Sequence, residues 1–321
     1  MNREYRFYLA PMEGITGYVY RNAYHACFRP MDQYFTPFIS PKSGQSMNTR
    51  ERNDILPENN RGLSVIPQIL ANNPERFVKA ARELAEYGYR EVNLNLGCPS
   101  RTVAAKGKGA GFLAHPRELD EFFDRVFEGL WGSGLQVSVK TRLGMERGEE
   151  FEGLLDIFCR YPLKELIIHP RVQADYYKNT PDLERFGQGL LRFPGPVCYN
   201  GDIFSKADFD RVSGRFPELS HFMLGRGVLA RPWLLDRLLG GAGADKDTLE
   251  QFHGLVYEGY RRLMPGEQPV LFKMKELWFY MIQAFEGGEK AAKAVRKARK
   301  LSDYERAAGL IFRELPLKEQ D

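Results

Sequence analysis

Eight short apolar segments recur along this chain of 321 residues, and most are separated by stretches with helical periodicity. The apolar segments cover residues 7–10, 33–38, 63–69, 91–96, 136–140, 165–168, 196–199 and 221–224. Helical patterns occupy 74–87, 116–130, 151–159 and 206–215. Strand starts about thirty residues apart, with helices between them, are typical of a parallel (β/α)8 barrel. The alternative is an open doubly wound sheet, but the G-x-G-x-x-G turn expected after its first strand is missing.

The pattern changes after Trp233, where the strand-like segments stop. A glycine-rich break at 240–243 precedes four further helical patterns, at 248–263, 270–285, 289–298 and 304–312. We therefore predict a TIM (β/α)8 barrel domain over 1–240, followed by a small C-terminal helical domain over 245–321.

Composition sets the broad class of protein. The apolar share of 43% and the charged share of 27% are those of an ordinary globular protein, and the net charge of +4 permits a polyanionic partner. The four cysteines lie far apart without a C-x-x-C pair, which argues against a metal site and a disulfide framework and fits a reducing cytosol. No signal peptide and no apolar run of the roughly 18 residues that a membrane span needs is present. We expect a cytoplasmic protein with no membrane association.

Chemistry-bearing residues cluster where the predicted strands end. The fourth strand, E-V-N-L-N-L, runs into Gly97 and Cys98, and a loop with Lys106 and Lys108 among glycines follows. In a parallel barrel the carboxyl ends of all strands meet at one mouth, where the active site lies. Cys98 alone is compatible with a buried apolar residue. Polar residues at nearly every other strand end favour a reactive thiol instead.

Other strand ends suggest a site for a flat heterocycle with a phosphate. Lys140, Gln68 and His169 would converge near the barrel axis, offering a cation and an amide to a ring with an N–H and C=O edge. The glycine turns 200–202 and 225–227 follow the seventh and eighth strands, where barrel enzymes often bind phosphate. Either turn could also serve backbone geometry alone.

Five motifs together resemble the tRNA-dihydrouridine synthase family: A-P-M-E-G-I-T, L-N-L-G-C-P-S with K-G-K-G-A-G, V-K-T-R-L-G, Y-N-G-D-I and M-L-G-R-G. The resemblance implies an FMN-containing barrel that uses NADPH to reduce the 5,6 double bond of particular uridines in tRNA. It implies that Cys98 is the catalytic acid. It assigns cofactor binding to Pro11, Met12, Glu13, Gln68, Lys140, His169, Asn200, Gly201, Asp202, Gly225 and Arg226. Substrate contacts would come from Asn95, Arg142, Arg171 and Tyr176.

The helical tail carries six basic residues without an intervening acid: Lys290, Lys293, Arg296, Lys297, Arg299 and Lys300. Beside a barrel that must grip RNA, we interpret Lys293, Arg296 and Lys297 as tRNA-binding residues, although a solvated helix face is the alternative. Phe35, Tyr176 and Tyr177 could stack on bases, and Phe35 could equally belong to the core.

One departure from the family pattern is His169-Pro170-Arg171-Val172, where His-Gly-Arg-Thr is common. It keeps the histidine and the arginine, but the proline stiffens the loop that would supply substrate contacts over 171–177. Two rival functions stay open at this point. One is a dihydroorotate-dehydrogenase-like enzyme acting on a free pyrimidine, and the other is a non-catalytic RNA-binding protein. We expect a monomer. Which uridine is modified is not encoded in these motifs.

Overall fold

The computed structural model describes residues 4–318. Its strands are β1 Arg6–Leu9, β2 Gln33–Phe35, β3 Val65–Ile66, β4 Gln68–Ile69, β5 Glu91–Leu96, β6 Gln136–Arg142, β7 Leu166–His169, β8 Val197–Tyr199 and β9 His221–Leu224. Its α-helices up to the last strand are α1 Tyr18–Cys27, α2 Thr49–Ile55, α3 Pro74–Glu86, α4 Arg101–Ala104, α5 Pro116–Gly129, α6 Glu150–Phe158, α7 Leu183–Arg192 and α8 Lys206–Arg215. Six more follow: α9 Arg226–Ala230, α10 Leu234–Leu238, α11 Lys246–Leu263, α12 Glu267–Met281, α13 Glu289–Lys297 and α14 Leu301–Glu314.

The strands form one sheet in the order β3-β2-β1-β9-β8-β7-β6-β5-β4, and the pairs with a defined register run parallel. The two ends of this order, β3 and β4, are consecutive in the chain and are separated only by Pro67. Proline has no N–H to give to a ladder, so it divides one strand into two short ones. Pro67 therefore joins the two strands that stand at the ends of the order, and the sheet closes into a TIM barrel, as predicted.

The barrel interior has an apolar part and a polar part. Strands on one side contribute a cluster of buried residues consisting of Tyr8, Ala10, Phe35, Ile66, Ile167, Cys198 and Met223. On β5 the residues between Val92, Leu94 and Leu96 are polar and are also buried. Parallel strands are normally apolar on both faces because helices cover the outside. A polar inner face on β5 and on neighbouring β6 therefore marks the functional side of the barrel.

Local sequence explains where the helices around these strands begin. Asn73 caps α3, its side-chain oxygen accepting from the Arg76 N–H at 2.9 Å, and Pro74 occupies the first turn, where its missing N–H costs nothing. Phe77, Ala80, Ala81 and Leu84 form the buried face of the helix. The same helical spacing places the apolar residues of α5 on one buried face.

The described chain divides into two compact units. The first comprises residues 4–11, 32–202 and 213–223, and the second comprises 12–31, 203–212 and 224–318. Within the second unit α1 packs on α11: the Tyr20 and Phe252 rings lie 5.4 Å apart, and a Cβ on Gly259 would approach Val19 to 2.5 Å. These units interleave along the chain, and the predicted boundary between 240 and 245 stays a prediction.

All eight predicted strands are present, although β2 ends at Phe35 and not at Phe38. The four helices predicted beyond 245 are present as α11–α14, with the end of the second, 282–284, forming a 3-10 turn. Over residues 4–318, no helix has the length and apolarity that crossing a membrane requires. Within the same residues, His, Cys, Asp and Glu side chains form no group of three or more that would hold a metal ion.

Candidate active site

Cys98 follows the carboxyl end of β5 and is half-buried. Its backbone N–H and that of Gly97 both donate to Asn95 Oδ1, at 2.9 and 3.0 Å. These two bonds turn the chain sharply at the end of the strand and hold the position from which the thiol projects. Asn95 is itself buried, so its amide cannot turn away to solvent.

A chain of hydrogen bonds continues from Asn95 through the polar part of the barrel. Asn95 Nδ2 donates to Gln68 Oε1 at 2.7 Å, and Gln68 Nε2 donates to Asn93 Oδ1 at 2.8 Å. Asn93 Nδ2 donates to Ser138 Oγ at 2.9 Å, and Ser138 Oγ donates to Glu91 Oε1 at 2.7 Å. The Lys164 ammonium ends the chain on Glu91 Oε2 at 2.5 Å. We call this series the Glu91–Cys98 chain.

The groups at the two ends of the Glu91–Cys98 chain determine which partner donates and which accepts in each of its hydrogen bonds. A carboxylate only accepts, so the Ser138 hydroxyl must donate to it and has a lone pair left for an amide N–H. At the other end the backbone N–H groups only donate, so Asn95 must present its oxygen to them. The three amides between these ends can satisfy both conditions in one orientation only. Gln68 and Asn95 each have one amide N–H left to offer at the mouth, and only the Gln68 oxygen has a remaining lone pair, because Asn95 Oδ1 already accepts two hydrogen bonds.

The glycines after Cys98 let the loop fold closely upon itself. At Gly109, with φ of +56°, a Cβ would lie 2.9 Å from the Cys98 Cβ, and at Gly111 it would lie 2.3 Å from the Ala104 carbonyl oxygen. The Ala110 N–H donates to the Cys98 carbonyl at 3.1 Å. Two of the three glycines in K-G-K-G-A-G are thus needed for packing around Cys98, without any ligand.

Lys140 lies beside Asn95 in the register of β5 and β6. Burial lowers the pKa of its ammonium to about 7, and repulsion from Arg142 adds to the effect. No described residue gives the ammonium a hydrogen bond or an ion pair. A half-buried cation without a protein partner is suited to a ligand atom that carries or gains negative charge.

Arg142 is 1% exposed and ties three parts of the mouth together. Its Nε donates to the Gly97 carbonyl at 3.0 Å, and its two terminal nitrogens donate to the Val172 and Tyr176 carbonyls, both at 2.8 Å. The guanidinium also lies 5.5 Å from the centre of the Tyr177 ring. Arg142 therefore fixes the loop after β7 against the loop that carries Cys98. A direct substrate contact from Arg142 stays a prediction.

Arg171 is buried and is likewise engaged by the protein. It pairs with Asp202 through both carboxylate oxygens, contacts His169 Nε2 at 3.0 Å, and donates to the Asn179 carbonyl at 2.5 Å. The pair joins the ends of β7 and β8 and orients the His169 ring. The Arg171 guanidinium balances the negative charge of the Asp202 carboxylate, which lies at a strand end where a phosphate is predicted. Substrate binding by Arg171 stays a prediction.

The loop after β7 holds backbone strain. Tyr176 has φ of +50° and is the one non-glycine residue in the left-handed region among residues 4–318. Gln173 Nε2 donates to the Pro99 carbonyl at 2.8 Å, and the Arg101 Nε donates to the Tyr176 hydroxyl at 3.2 Å. Strain of this kind persists where surrounding contacts impose it, which is common at functional sites. These contacts bring predicted residue Tyr176 close to the Cys98 loop.

The remaining predicted residues have the following positions. Pro11 follows β1, and Asn200 and Gly201 follow β8; Asn200 Nδ2 donates to the Met223 carbonyl at 2.8 Å. Met12, Glu13, Gly225 and Arg226 lie in the second unit. There the Lys273 ammonium bonds the Gly14 carbonyl at 2.5 Å, and the Arg226 guanidinium lies 5.5 Å from the Phe204 ring centre. Their cofactor roles stay predictions. Phe35 is fully buried in the apolar cluster, so it belongs to the core, which was the alternative to stacking on a base.

The basic tail residues are exposed on and just after α13: Lys290, Lys293, Arg296, Lys297, Arg299 and Lys300. Within the described chain none of these six side chains has an ion pair or a hydrogen bond. Their charge is therefore uncompensated locally.

Glu91 and Ser138 were not recognised from the sequence as site residues. The signal was present as alternation, because Glu91, Asn93 and Asn95 are polar at every second position of β5 and Ser138 and Lys140 are so on β6. In a parallel barrel, whose outer face is covered by helices, such alternation indicates a polar interior.

A parallel (β/α)8 barrel whose mouth presents a thiol, a half-buried ammonium and oriented amides defines the class of protein as a barrel enzyme. The chain belongs to the dihydrouridine synthase family: the family model described as Dihydrouridine synthase (Dus) matches residues 8–307. It is therefore an oxidoreductase that forms dihydrouridine. This outcome confirms the resemblance drawn from the motifs.

Curated relatives agree with this assignment. The chain is 28% identical over 239 residues to a probable tRNA-dihydrouridine synthase 2 of Bacillus subtilis (strain 168), covering 72% of this chain and 71% of the relative. It is 28% identical over 239 residues to a probable tRNA-dihydrouridine synthase of Staphylococcus aureus (strain COL), covering 72% and 70%.

Solved structures resemble the fold. Morphinone reductase matches with a TM-score of 0.52 at 15% identity, covering 77% of this chain and 88% of that one. A 2-naphthoyl-CoA reductase complex matches with a TM-score of 0.55 at 10% identity, covering 73% and 50%. At these identities the likeness concerns the barrel architecture alone.

Proposed function

We propose that this enzyme reduces the 5,6 double bond of particular uridines in tRNA, with FMN as bound cofactor, NADPH as reductant and Cys98 as the acid. The observation that carries the proposal is the position of Cys98. It is held by Asn95 at the end of β5, on the polar side of the barrel to which Lys140 also belongs.

The residues of the first unit fit a flavin. Lys140 is a half-buried cation without a partner among the described residues, which suits the edge of a ring that gains negative charge on reduction. Gln68 has its oxygen and one N–H committed to Asn95 and Asn93, so it offers the ring its other N–H. His169, oriented by Arg171, would lie beside it. When bound, FMN supplies the hydride that the uracil receives.

Cys98 would supply the proton. Addition of hydride at C6 of uracil leaves negative charge toward the O4 enolate, and protonation at C5 completes the reduction. A thiol is acidic enough to donate this proton and remains stable in a half-buried site. The remaining Asn95 N–H is available to a uracil carbonyl, which would hold the base against the thiol.

The tRNA partner is supported by charge and by the chemistry of access. A uridine in folded RNA must leave its stack to enter a barrel mouth, at a cost of about a few kcal/mol. Contacts to the phosphate backbone offset that cost. The six exposed basic residues from Lys290 to Lys300 would supply such contacts, since no carboxylate of the described chain pairs with them. Neutralising Lys293, Arg296 and Lys297 should lower the slope of log Kd against log salt by about 0.7 for every phosphate that these side chains no longer bind.

We further propose a cytoplasmic monomer. None of the four cysteines forms a disulfide within residues 4–318, which fits a reducing compartment, and the predicted site residues all come from one chain.

The test compares Cys98→Ala with Cys159→Ala, a half-buried thiol that donates only to the Arg192 carbonyl. Each protein is assayed for bound flavin by absorbance and for dihydrouridine formed in tRNA with NADPH. We expect Cys98→Ala to keep its flavin and to lose about 10²–10⁴ in rate, while Cys159→Ala stays near wild type.

Three outcomes would contradict the proposal. Wild-type turnover by Cys98→Ala would remove the acid role of the thiol. Colourless wild-type protein, without bound flavin, would remove FMN. Efficient reduction of a free pyrimidine with no activity on tRNA would favour the free-pyrimidine enzyme.

A further inference from the structure

One cavity of the first unit is lined by positively charged side chains alone among its ionisable groups. It has a volume of about 390 Å³, and its lining includes Lys42, Arg76, Lys106 and Lys108 but no carboxylate. We call it the basic pocket. Its other walls are apolar or bear hydroxyls, among them Phe38, Leu70, Val103, Ser40 and Thr102. A volume in this range accommodates a small ligand or a nucleotide-sized fragment.

The four cations of the basic pocket are not compensated by the protein. None of their side chains has an ion pair or a hydrogen bond within residues 4–318. Burial lowers the pKa of Lys108, and Arg76 and Lys106 add repulsion, so the cations disfavour one another. An anion in the pocket would relieve this repulsion.

Another cavity of the same unit provides an internal comparison. The groove between α3 and α5 has a volume of about 660 Å³ and also contains three cations, Lys79, Arg82 and Arg125. Three glutamates line it as well, Glu75, Glu83 and Glu86, and Arg125 pairs with Glu75 at 3.3 Å. Cations in a solvated groove are thus balanced by acids in this protein. Of these two cavities, only the basic pocket has cations without acidic residues beside them.

Part of the basic pocket is close in sequence to the proposed catalytic thiol. Lys106 and Lys108 belong to the loop that begins at Cys98, and the Ala110 N–H returns to the Cys98 carbonyl at 3.1 Å. Asn72 Nδ2 fixes the same loop by donating to the Lys106 carbonyl at 3.0 Å. A ligand held by these lysines is therefore held by the segment that positions the thiol.

We propose that the basic pocket binds a phosphate of the RNA backbone near the uridine that enters the barrel. This inference rests on the proposed function, because it assumes an RNA substrate. A cationic surface with an aromatic and apolar wall is the composition that follows a single nucleic-acid strand, with Phe38 available to a base or ribose. The pocket would bind the strand beside the loop that carries Cys98.

The test uses the double variant Arg76→Gln/Lys106→Gln, since both side chains are exposed and unpaired and the fold should be retained. Its matched control is Lys79→Gln/Arg117→Gln, which removes one lysine and one arginine from positions outside the pocket. Both variants have two positive charges fewer than the wild type. For each flavin-loaded protein, tRNA binding is measured at several salt concentrations, and flavin reduction is measured with NADPH and with NADH.

We expect the pocket variant to lower the slope of log Kd against log salt by about 0.7 to 1.4, for one or two phosphates. Between 50 and 200 mM salt, a slope change of about 0.7 is roughly a 2.6-fold change in relative affinity. The control should change the slope by less than half as much, and the NADPH to NADH ratio should stay constant in both.

Two results would overturn the inference. An unchanged salt slope, or one that changes equally in the control, would show that the pocket has no role of its own in RNA binding. A lower NADPH to NADH ratio with an unchanged slope would assign the pocket to the 2′-phosphate of the reductant. Wild-type protein that binds tRNA but forms no dihydrouridine would refute the proposed function, and the salt slopes would still decide the pocket.

Discussion

The Glu91–Cys98 chain makes Ser138→Ala a sharp test of the polar barrel interior. Ser138 is fully buried, and its hydroxyl donates to Glu91 at 2.7 Å and accepts from Asn93 at 2.9 Å. Alanine keeps the Cβ and removes only the oxygen. The substitution therefore leaves one amide N–H and one carboxylate oxygen buried without a partner, with no large cavity.

The expected destabilisation follows from those two groups. A buried donor or acceptor left unsatisfied costs about 1–3 kcal/mol, and a charged group lies toward the upper end. Glu91 keeps its bond to Lys164, which limits the effect on its side. We expect the free energy of unfolding to fall by about 2–5 kcal/mol. This is a large part of the roughly 5–15 kcal/mol that stabilises a typical domain.

Thr141→Val is the matched control on the same strand. Thr141 is equally buried, but its hydroxyl donates only to the neighbouring Arg142 carbonyl at 2.8 Å. Valine preserves its shape, so we expect the free energy of unfolding to fall by about 1 kcal/mol. Urea unfolding followed by circular dichroism would give the midpoint and slope for each variant. The reasoning is refuted if Ser138→Ala costs no more than Thr141→Val.

Two further predictions concern the Cys98 loop and the second unit. Gly107 and Gly109 share a left-handed φ, +60° and +56°, but only at Gly109 would a Cβ meet Cys98, so Gly109→Ala should lower uridine reduction at least tenfold more than Gly107→Ala. Equal activities would contradict the close packing. Burial lowers the pKa of His253 to about 4, so from pH 6.5 down to 4 the unfolded chain binds the extra proton and stability falls by about 1.4 kcal/mol per pH unit. His253→Gln should remove this acid slope while the exposed His115→Gln keeps it, as measured by urea unfolding at each pH; an unaltered slope in His253→Gln would reject the assignment.

The sequence determined the architecture because the information for it is local. Short apolar strands, helical spacing between them, and turn residues at their ends are each legible within a short window. Pro67 illustrates the limit of such reading. It lies inside one predicted strand, and only the closed sheet shows that it separates the pairing with β2 from the pairing with β5.

The candidate site was legible in part for the same reason. Cys98, Lys140 and His169 stand at strand ends, and the barrel topology brings strand ends together. Which partners these residues have is a matter of distance between strands. Arg142 and Arg171 stay predicted substrate ligands, and what only the tertiary structure shows is that Arg142 bonds two loops and that Arg171 pairs with the Asp202 carboxylate.

Tertiary structure alone decided the Glu91–Cys98 chain and the basic pocket. Each joins residues that are remote in sequence, such as Gln68 with Asn95 and Lys42 with Lys108. Periodicity reports which face of a strand is buried, but it does not report the register between strands that sets a hydrogen bond. The same applies to charge: the tail was visible as a run of basic residues, whereas the pocket exists only because folding brings four separate cations around one space.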